Sequence, residues 1–383
     1  MMEYRKLPRG EERISVIGMG TSVVGATSVE NVVETVSYAL DHGINFFDMA
    51  GGHASIFPGM GKALEGRREK AYLQIHFGAD YTSGEYGWNI SLDGVKRSVD
   101  WQLKQLKTDY IDFGFIHCMD EEKDLKVYEK NGALQYLLDL KSQGVVRHIG
   151  LSTHAPALAN RVLDMGILDI MMFSINPMYD YGQGDYAIGK GNERYELYRR
   201  CEKEGVGISV MKPFNAGQLL DAAASPFHRT LTPAQCIQYA LDRPGVLSVM
   251  QGAANVEQLA ENLSYLETEP EERDYSVIGS FTPDETKGSC VYCKHCHPCP
   301  AGLDIGLINK YYDLSRIGDT LAGEHYRTLE RTAADCIRCG HCNGRCPFHV
   351  DQMERMAEIA AYFGKCERSG RNQRNQSDSA GLL

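Results

Sequence analysis

Between residues 14 and 267 the chain alternates short β-branched runs with amphipathic stretches, eight times over. The strand candidates are ISVIGMG (14–20), INFFDMA (44–50), YLQIHF (72–77), YIDFGFIHC (110–118), HIGLST (148–153), IMMFSIN (170–176), GISVMKP (207–213) and VLSVMQG (246–252). A helical pattern follows each, as in 28–43, 91–107, 132–144 and 255–266. Eight strand–helix units in this length predict an α/β fold, a closed (β/α)8 TIM barrel over residues 1–270. A doubly wound open sheet is the competing architecture, but no GxGxxG follows the first strand.

Residues 268–275, TEPEERDY, form a charged boundary to a second domain over 276–365. Of the twelve cysteines, Cys118, Cys201, Cys236 and Cys366 are scattered and eight fall in two tight groups. Clustered thiols without a secretion signal point to metal ligation rather than disulfides. The second group, Cys336, Cys339, Cys342 and Cys346 followed by Pro347, has the spacing of the bacterial ferredoxin run. The first, Cys290, Cys293, Cys296 and Cys299 followed by Pro300, is one residue tighter at its last step. Three thiolates of such a run wrap one cubane and the fourth ligand comes from the other run. Two [4Fe–4S] clusters are therefore expected in a small α-helical ferredoxin-like domain. Cys290, Cys293, Cys296 and Cys346 would hold one, and Cys336, Cys339, Cys342 and Cys299 the other. Structural zinc is the alternative. Helices are expected at 305–318 and 350–364, and a disordered polar tail at 367–383.

The formal net charge is −11 with dispersed Lys and Arg, which argues against a nucleic-acid partner or a polybasic membrane surface. No apolar run reaches membrane-span length, and the N-terminal MMEYRKLPRGEER is charged where a signal peptide is apolar. A cytoplasmic protein is expected.

The segments INFFDMA…GMGKALEG, TDYIDFGFIH (108–117), IGLS (149–152), SINP (174–177), VMKPFNAG (210–217) and QGAANVEQLAENL (251–263) resemble the aldo-keto reductase superfamily. The C-terminal part resembles the ferredoxin-like extension of one bacterial branch of it. The resemblance implies a barrel that binds a nicotinamide cofactor, with an aspartate, a tyrosine acid, a lysine and a histidine at its mouth. Asp48 and His117 match the aspartate and the histidine. The tyrosine position is His53, while Gly61 still falls at the family's distance, and the lysine position is His76. Nicotinamide contacts are implied at Ser152, Asn176, Gly252, Glu261 and Asn262.

Histidine titrates near 6.5 and needs no lysine to act as an acid at neutral pH. His53 is thus expected to donate the proton, His117 to position the substrate oxygen, and Asp48 to pair with His76. Tyrosines in the loop 81–86, or at 179, 181 and 186, are alternative donors. A metal held by the imidazoles and Asp48 is a second reading of the same residues. Cys118, beside His117, is expected to face the opposite side of its strand.

No Lys or Arg lies within 244–272, so no clamp for a 2′-phosphate is visible and NAD(P)H use is open. The expected function is an iron–sulfur oxidoreductase acting on a carbonyl or polyol substrate, in an anaerobic setting. One alternative is cluster-fed, one-electron ketyl chemistry, reductive or dehydrating, without nicotinamide. The other is an electron-transfer subunit serving a protein partner. A ferredoxin- or flavodoxin-type donor would feed the clusters.

Overall fold

The computed structural model describes residues 1–181, 187–225, 227, 229–278, 288, 290, 292, 295–316, 320–346 and 348–364. A first compact unit spans Met1–Tyr275, and a second begins at Ser276.

The first unit is built on a closed barrel of eight parallel strands in sequence order. They are β1 (Ile17–Gly20), β2 (Phe46–Asp48), β3 (Tyr72–Phe77), β4 (Ile111–Ile116), β5 (Val146–Thr153), β6 (Ile170–Ser174), β7 (Gly207–Met211) and β8 (Val246–Gly252). Helices follow the strands, among them α1 (Val29–Asp41), α2 (Ile56–Ala63) and α3 (Leu92–Leu106). Ser28 and Ser91 cap α1 and α3 by accepting the backbone N–H of Asn31 and Gly94, groups a helix start leaves unpaired. The barrel reading of the alternating pattern holds, and the open-sheet alternative does not.

The run expected as one strand over 14–20 divides in two. Arg13–Ser15 pairs antiparallel with Tyr4–Lys6, and only Ile17–Gly20 joins the barrel. The Ser15 hydroxyl donates to the Ile17 carbonyl at 2.7 Å where the chain turns between the two roles. Leu7 and Ile14 from this hairpin pack with Phe46, Phe113, Ile170 and Leu247, which lie near the beginnings of their strands. The hairpin therefore plugs the N-terminal end, leaving the C-terminal ends of the strands as the open mouth.

A second hairpin, Ala79–Asp80 with Gly87–Trp88, rises directly after β3. Its turn, at Ser83-Gly84, uses a left-handed Gly84 (φ 96°). No helix among the described residues is long and apolar enough to cross a membrane.

The described part of the second unit is helical, with Ile305–Arg316, Thr320–Arg327, His341–Arg345 and 352–364. Leu303, Ile308, Tyr326, Met356, Ile359 and Phe363 are buried in its core. The tail 367–383, Cys366 and Cys293 lie outside the described residues.

Candidate active site at the barrel mouth

Asp48 closes β2, level with Gln74 of the neighbouring β3. Alternate residues of a strand share a face, so Gln74 and His76 both turn toward Asp48. Gln74 Nε2 donates to Asp48 Oδ1 at 3.0 Å, and its own Oε1 accepts from Ser209 Oγ at 3.1 Å. His76 Nε2 lies 2.7 Å from Asp48 Oδ1. Its other nitrogen, Nδ1, lies 2.9 Å from His117 Nδ1, and His117 Nε2 lies 2.9 Å from the Tyr86 hydroxyl. Asp48, His76 and His117 are all buried, whereas Tyr86, on the second hairpin, is 42% exposed. The four side chains form one continuous file from the barrel interior to the mouth.

Only one assignment of protons satisfies this file when both rings are neutral. The Asp48 carboxylate can only accept, so His76 carries its proton on Nε2 and its Nδ1 is bare. His117 must then donate from Nδ1, and its bare Nε2 accepts from the Tyr86 O–H. Burial, reinforced by His76, holds His117 well below the usual histidine range, which favours its neutral form. Burial, with a contribution from Cys118, pushes Tyr86 up to about 12.

His53, expected as the donor, is not part of this file. Its Nδ1 pairs with Glu85 Oε2 at 3.1 Å, its backbone bridges Glu85, and its side chain is 45% exposed. The hairpin thus draws His53 outward through Glu85 while placing Tyr86, the next residue, against His117. Tyr81, in the same loop, is buried, its hydroxyl accepting from the Gly51 N–H at 3.1 Å. Tyr179 is buried and donates to Asn215, Tyr181 is buried, and Tyr186 lies outside the described residues. Sequence reasoning put Tyr86 in a group of alternatives and missed Gln74. The spacing of YLQIHF could have revealed Gln74, since it stands two before His76.

The metal reading of the histidine site meets the same geometry. Both nitrogens of His76 and both of His117 are engaged within the file. Cys118 does not follow the strand alternation. It lies two residues beyond the end of β4 with a left-handed backbone (φ 49°).

The residues expected near a nicotinamide are spread over three strand ends. Ser152 is buried near the end of β5. Asn176 is buried after β6, its amide donating to the Lys212 carbonyl at 2.9 Å and accepting from the Tyr179 N–H at 2.9 Å. Gly252, at the end of β8, is exposed, and Asn262 Nδ2 donates to its carbonyl at 3.0 Å. Glu261, beside Asn262, is exposed. Sequence reasoning overlooked Gln251, whose fully buried amide has no hydrogen-bond partner among the described residues.

In the second unit, Cys299, Cys336, Cys339 and Cys342 line one cavity, with Cys296 also on its wall. Burial pushes the Cys290 thiol up to about 11, and the charge of Cys346 adds to it. None of the described cysteines is in a disulfide.

The sequence profile of the aldo/keto reductase family matches residues 16–282. The chain belongs to this family. The aldo-keto reductase fold is shared with the holo form of an aldo-keto reductase from Bacillus halodurans, at a TM-score of 0.58 and 23% identity over 73% of this chain and 95% of that one. The chain is 28% identical to the oxidoreductase YqkF of Bacillus subtilis, over 68% of this chain and 90% of the relative. It is 27% identical to L-galactose dehydrogenase of Arabidopsis thaliana, over 69% of this chain and 88% of the relative. As an aldo-keto reductase, this protein is an oxidoreductase acting on a small molecule.

Proposed function

We propose that the protein interconverts a carbonyl compound and its alcohol or polyol at the barrel mouth, with Tyr86 as the proton donor. The file Asp48–His76–His117–Tyr86 carries this reading. With one added proton, His76 becomes an imidazolium beside the Asp48 carboxylate and donates from both nitrogens. His117 then carries its proton on Nε2 and donates to the Tyr86 oxygen, which frees the Tyr86 O–H to face a substrate oxygen. As the carbonyl is reduced, Tyr86 gives its proton to that oxygen and takes one from His117 Nε2. His117 takes one from His76 Nδ1, and the file returns to its neutral form. Alcohol oxidation runs the same transfers backward. The phenol never has to stand as a free phenolate, which matters for a group pushed up to about 12. His53 has no role in the transfer.

A reduced nicotinamide, when bound, supplies a hydride to the carbonyl carbon. Ser152, Gly252, Glu261 and Asn262 are the proposed contacts. At Gly252 an added side chain would meet Val23 Cγ2 at 3.0 Å, which favours a bare backbone there. Asn176 acts instead by positioning, since its amide is engaged by Lys212 and Tyr179. The absence of Lys and Arg from 244–272 favours NADH over NADPH.

The second unit is proposed to hold the two [4Fe–4S] clusters. The donor set fits: Cys299, Cys336, Cys339 and Cys342, the four thiols expected to hold one cluster, share one cavity, and Cys290 feels Cys346. Such clusters transfer single electrons, and an electron donor protein of ferredoxin or flavodoxin type is the partner this implies. The proton file serves the substrate by either electron route.

The test is anaerobic turnover of carbonyl and polyol panels with NADH, NADPH or chemically reduced clusters. Tyr86→Phe should lower kcat by about 10²–10⁴-fold, and His53→Ala should leave it nearly unchanged. Full activity in Tyr86→Phe, or loss only in His53→Ala, would overturn the assignment.

A further inference from the structure

A second group of chemically capable side chains lies at the ends of β4 and β5. Cys118 follows β4, Asp120 is two residues further, and His154 follows β5. Each offers one donor atom, and these atoms all lie within 4.8 Å of one another. Asp120 Oδ2 lies 2.9 Å from His154 Nδ1, and Asp120 Oδ1 accepts from Thr153 Oγ1 at 2.9 Å and from the His154 N–H at 2.6 Å.

Part of this arrangement has an ordinary structural explanation. Asp120 ties the segment after β4 to the end of β5 through those backbone and hydroxyl contacts. That staple accounts for Asp120 and His154 but not for Cys118. The thiol is brought to them by a left-handed backbone, a conformation that costs a side-chain-bearing residue energy and concentrates at functional sites. Lys212, just past β7, is also left-handed (φ 57°) and acts electrostatically on both Cys118 and Asp120.

We propose that Cys118, Asp120 and His154 form a mononuclear zinc site at the barrel mouth. A thiolate, an imidazole and a carboxylate are the ligand types zinc takes, and three protein ligands leave the fourth tetrahedral position for water or substrate. Binding releases the thiol proton to solvent. The zinc would act as a Lewis acid on the substrate oxygen that Tyr86 protonates. That role rests on the proposed function above, whereas the binding itself does not. Lys212 is the cation that opposes the metal, so its removal should strengthen binding.

The experiment uses the full chain with its iron–sulfur thiols loaded, stripped of loose metal by a chelator and titrated with Zn²⁺ against a chromophoric indicator. Iodoacetamide labelling of Cys118, read by peptide mass mapping, is followed in parallel. The wild type should take up one zinc more than Cys118→Ser, and zinc should protect Cys118 from alkylation. His154→Asn should weaken uptake by more than about 100-fold, beyond what loss of an outer partner does. Lys212→Met should tighten it. Equal uptake by wild type and Cys118→Ser would overturn the site, and so would alkylation of wild-type Cys118 unchanged by zinc. The labelling arm needs no variant to fold. Tyr86→Phe should bind zinc normally, so failure of the zinc site and failure of the proton-donor assignment give different patterns.

Discussion

Arg194→Met removes a cation buried on all sides, and the structure sets how much that should cost. Arg194 and Asp180 are both fully buried, with Nε 2.9 Å from Asp180 Oδ1. The guanidinium also donates to the Ser174 carbonyl at the end of β6 and lies 4.8 Å from the Phe173 ring centroid. Removing one partner of such a pair typically costs about 3–5 kcal/mol, because the other charge stays buried. Here the Asp180 carboxylate keeps two donors, the hydroxyls of Tyr198 at 2.6 Å and Tyr239 at 2.9 Å. The lower part of the range, about 3–4 kcal/mol, is therefore expected. At about 2–4 °C per kcal/mol for a domain of this size, the midpoint should fall by roughly 6–16 °C. Both tryptophans, Trp88 and Trp101, belong to the barrel unit, so fluorescence-detected urea unfolding reports on that unit alone. The double variant Arg194→Met, Asp180→Leu should recover part of the loss, since no charge is then stranded. A single-variant cost below about 1 kcal/mol, or a double variant less stable than either single one, would refute the reasoning.

Two further outcomes concern the barrel's floor and its helix packing. Burial alone would depress His148, but its hydrogen bonds to Asp169 and Glu12 outweigh this and raise it, while both carboxylates are lowered. A raised histidine stabilises below its unfolded value and loses that contribution as pH rises through its folded value, whereas the lowered carboxylates lose theirs as pH falls. Urea midpoints should therefore decline as pH rises above about 6.5, a decline that His148→Gln should flatten; an unchanged slope would remove the group from the account. Gly61→Ala would place a methyl 2.4 Å from the Gln105 carbonyl oxygen and 3.1 Å from Leu106 Cα, forcing α2 off α3. A loss of about 1–3 kcal/mol is expected in the same unfolding assay, and a neutral result would mean the helices can yield there.

Local periodicity and strand-end position were enough to read most of the framework. Each of the eight barrel strands begins and ends within a few residues of its apolar run, because burial on both faces forces β-branched residues together. Asp48, His76 and His117 were legible through the resemblance to the family, and a closed parallel barrel brings the ends of β2, β3 and β4 to one mouth. Cysteine spacing likewise announced where thiols would gather, and Cys299, Cys336, Cys339 and Cys342 do share a cavity.

What sequence alone left open was carried by loops. Whether His53 or Tyr86 reaches the file depends on the hairpin 79–88, whose bridge to His53 turns one side chain out and the other in. The same holds for Cys118, Asp120 and His154, which are 36 residues apart at their extremes and meet only because β4 and β5 are adjacent and Cys118 adopts a left-handed turn. Hydrophobic pattern records which face of an element is buried. It holds no comparable record of where a polar loop side chain lands, because that is set by chain closure and by partners distant in sequence.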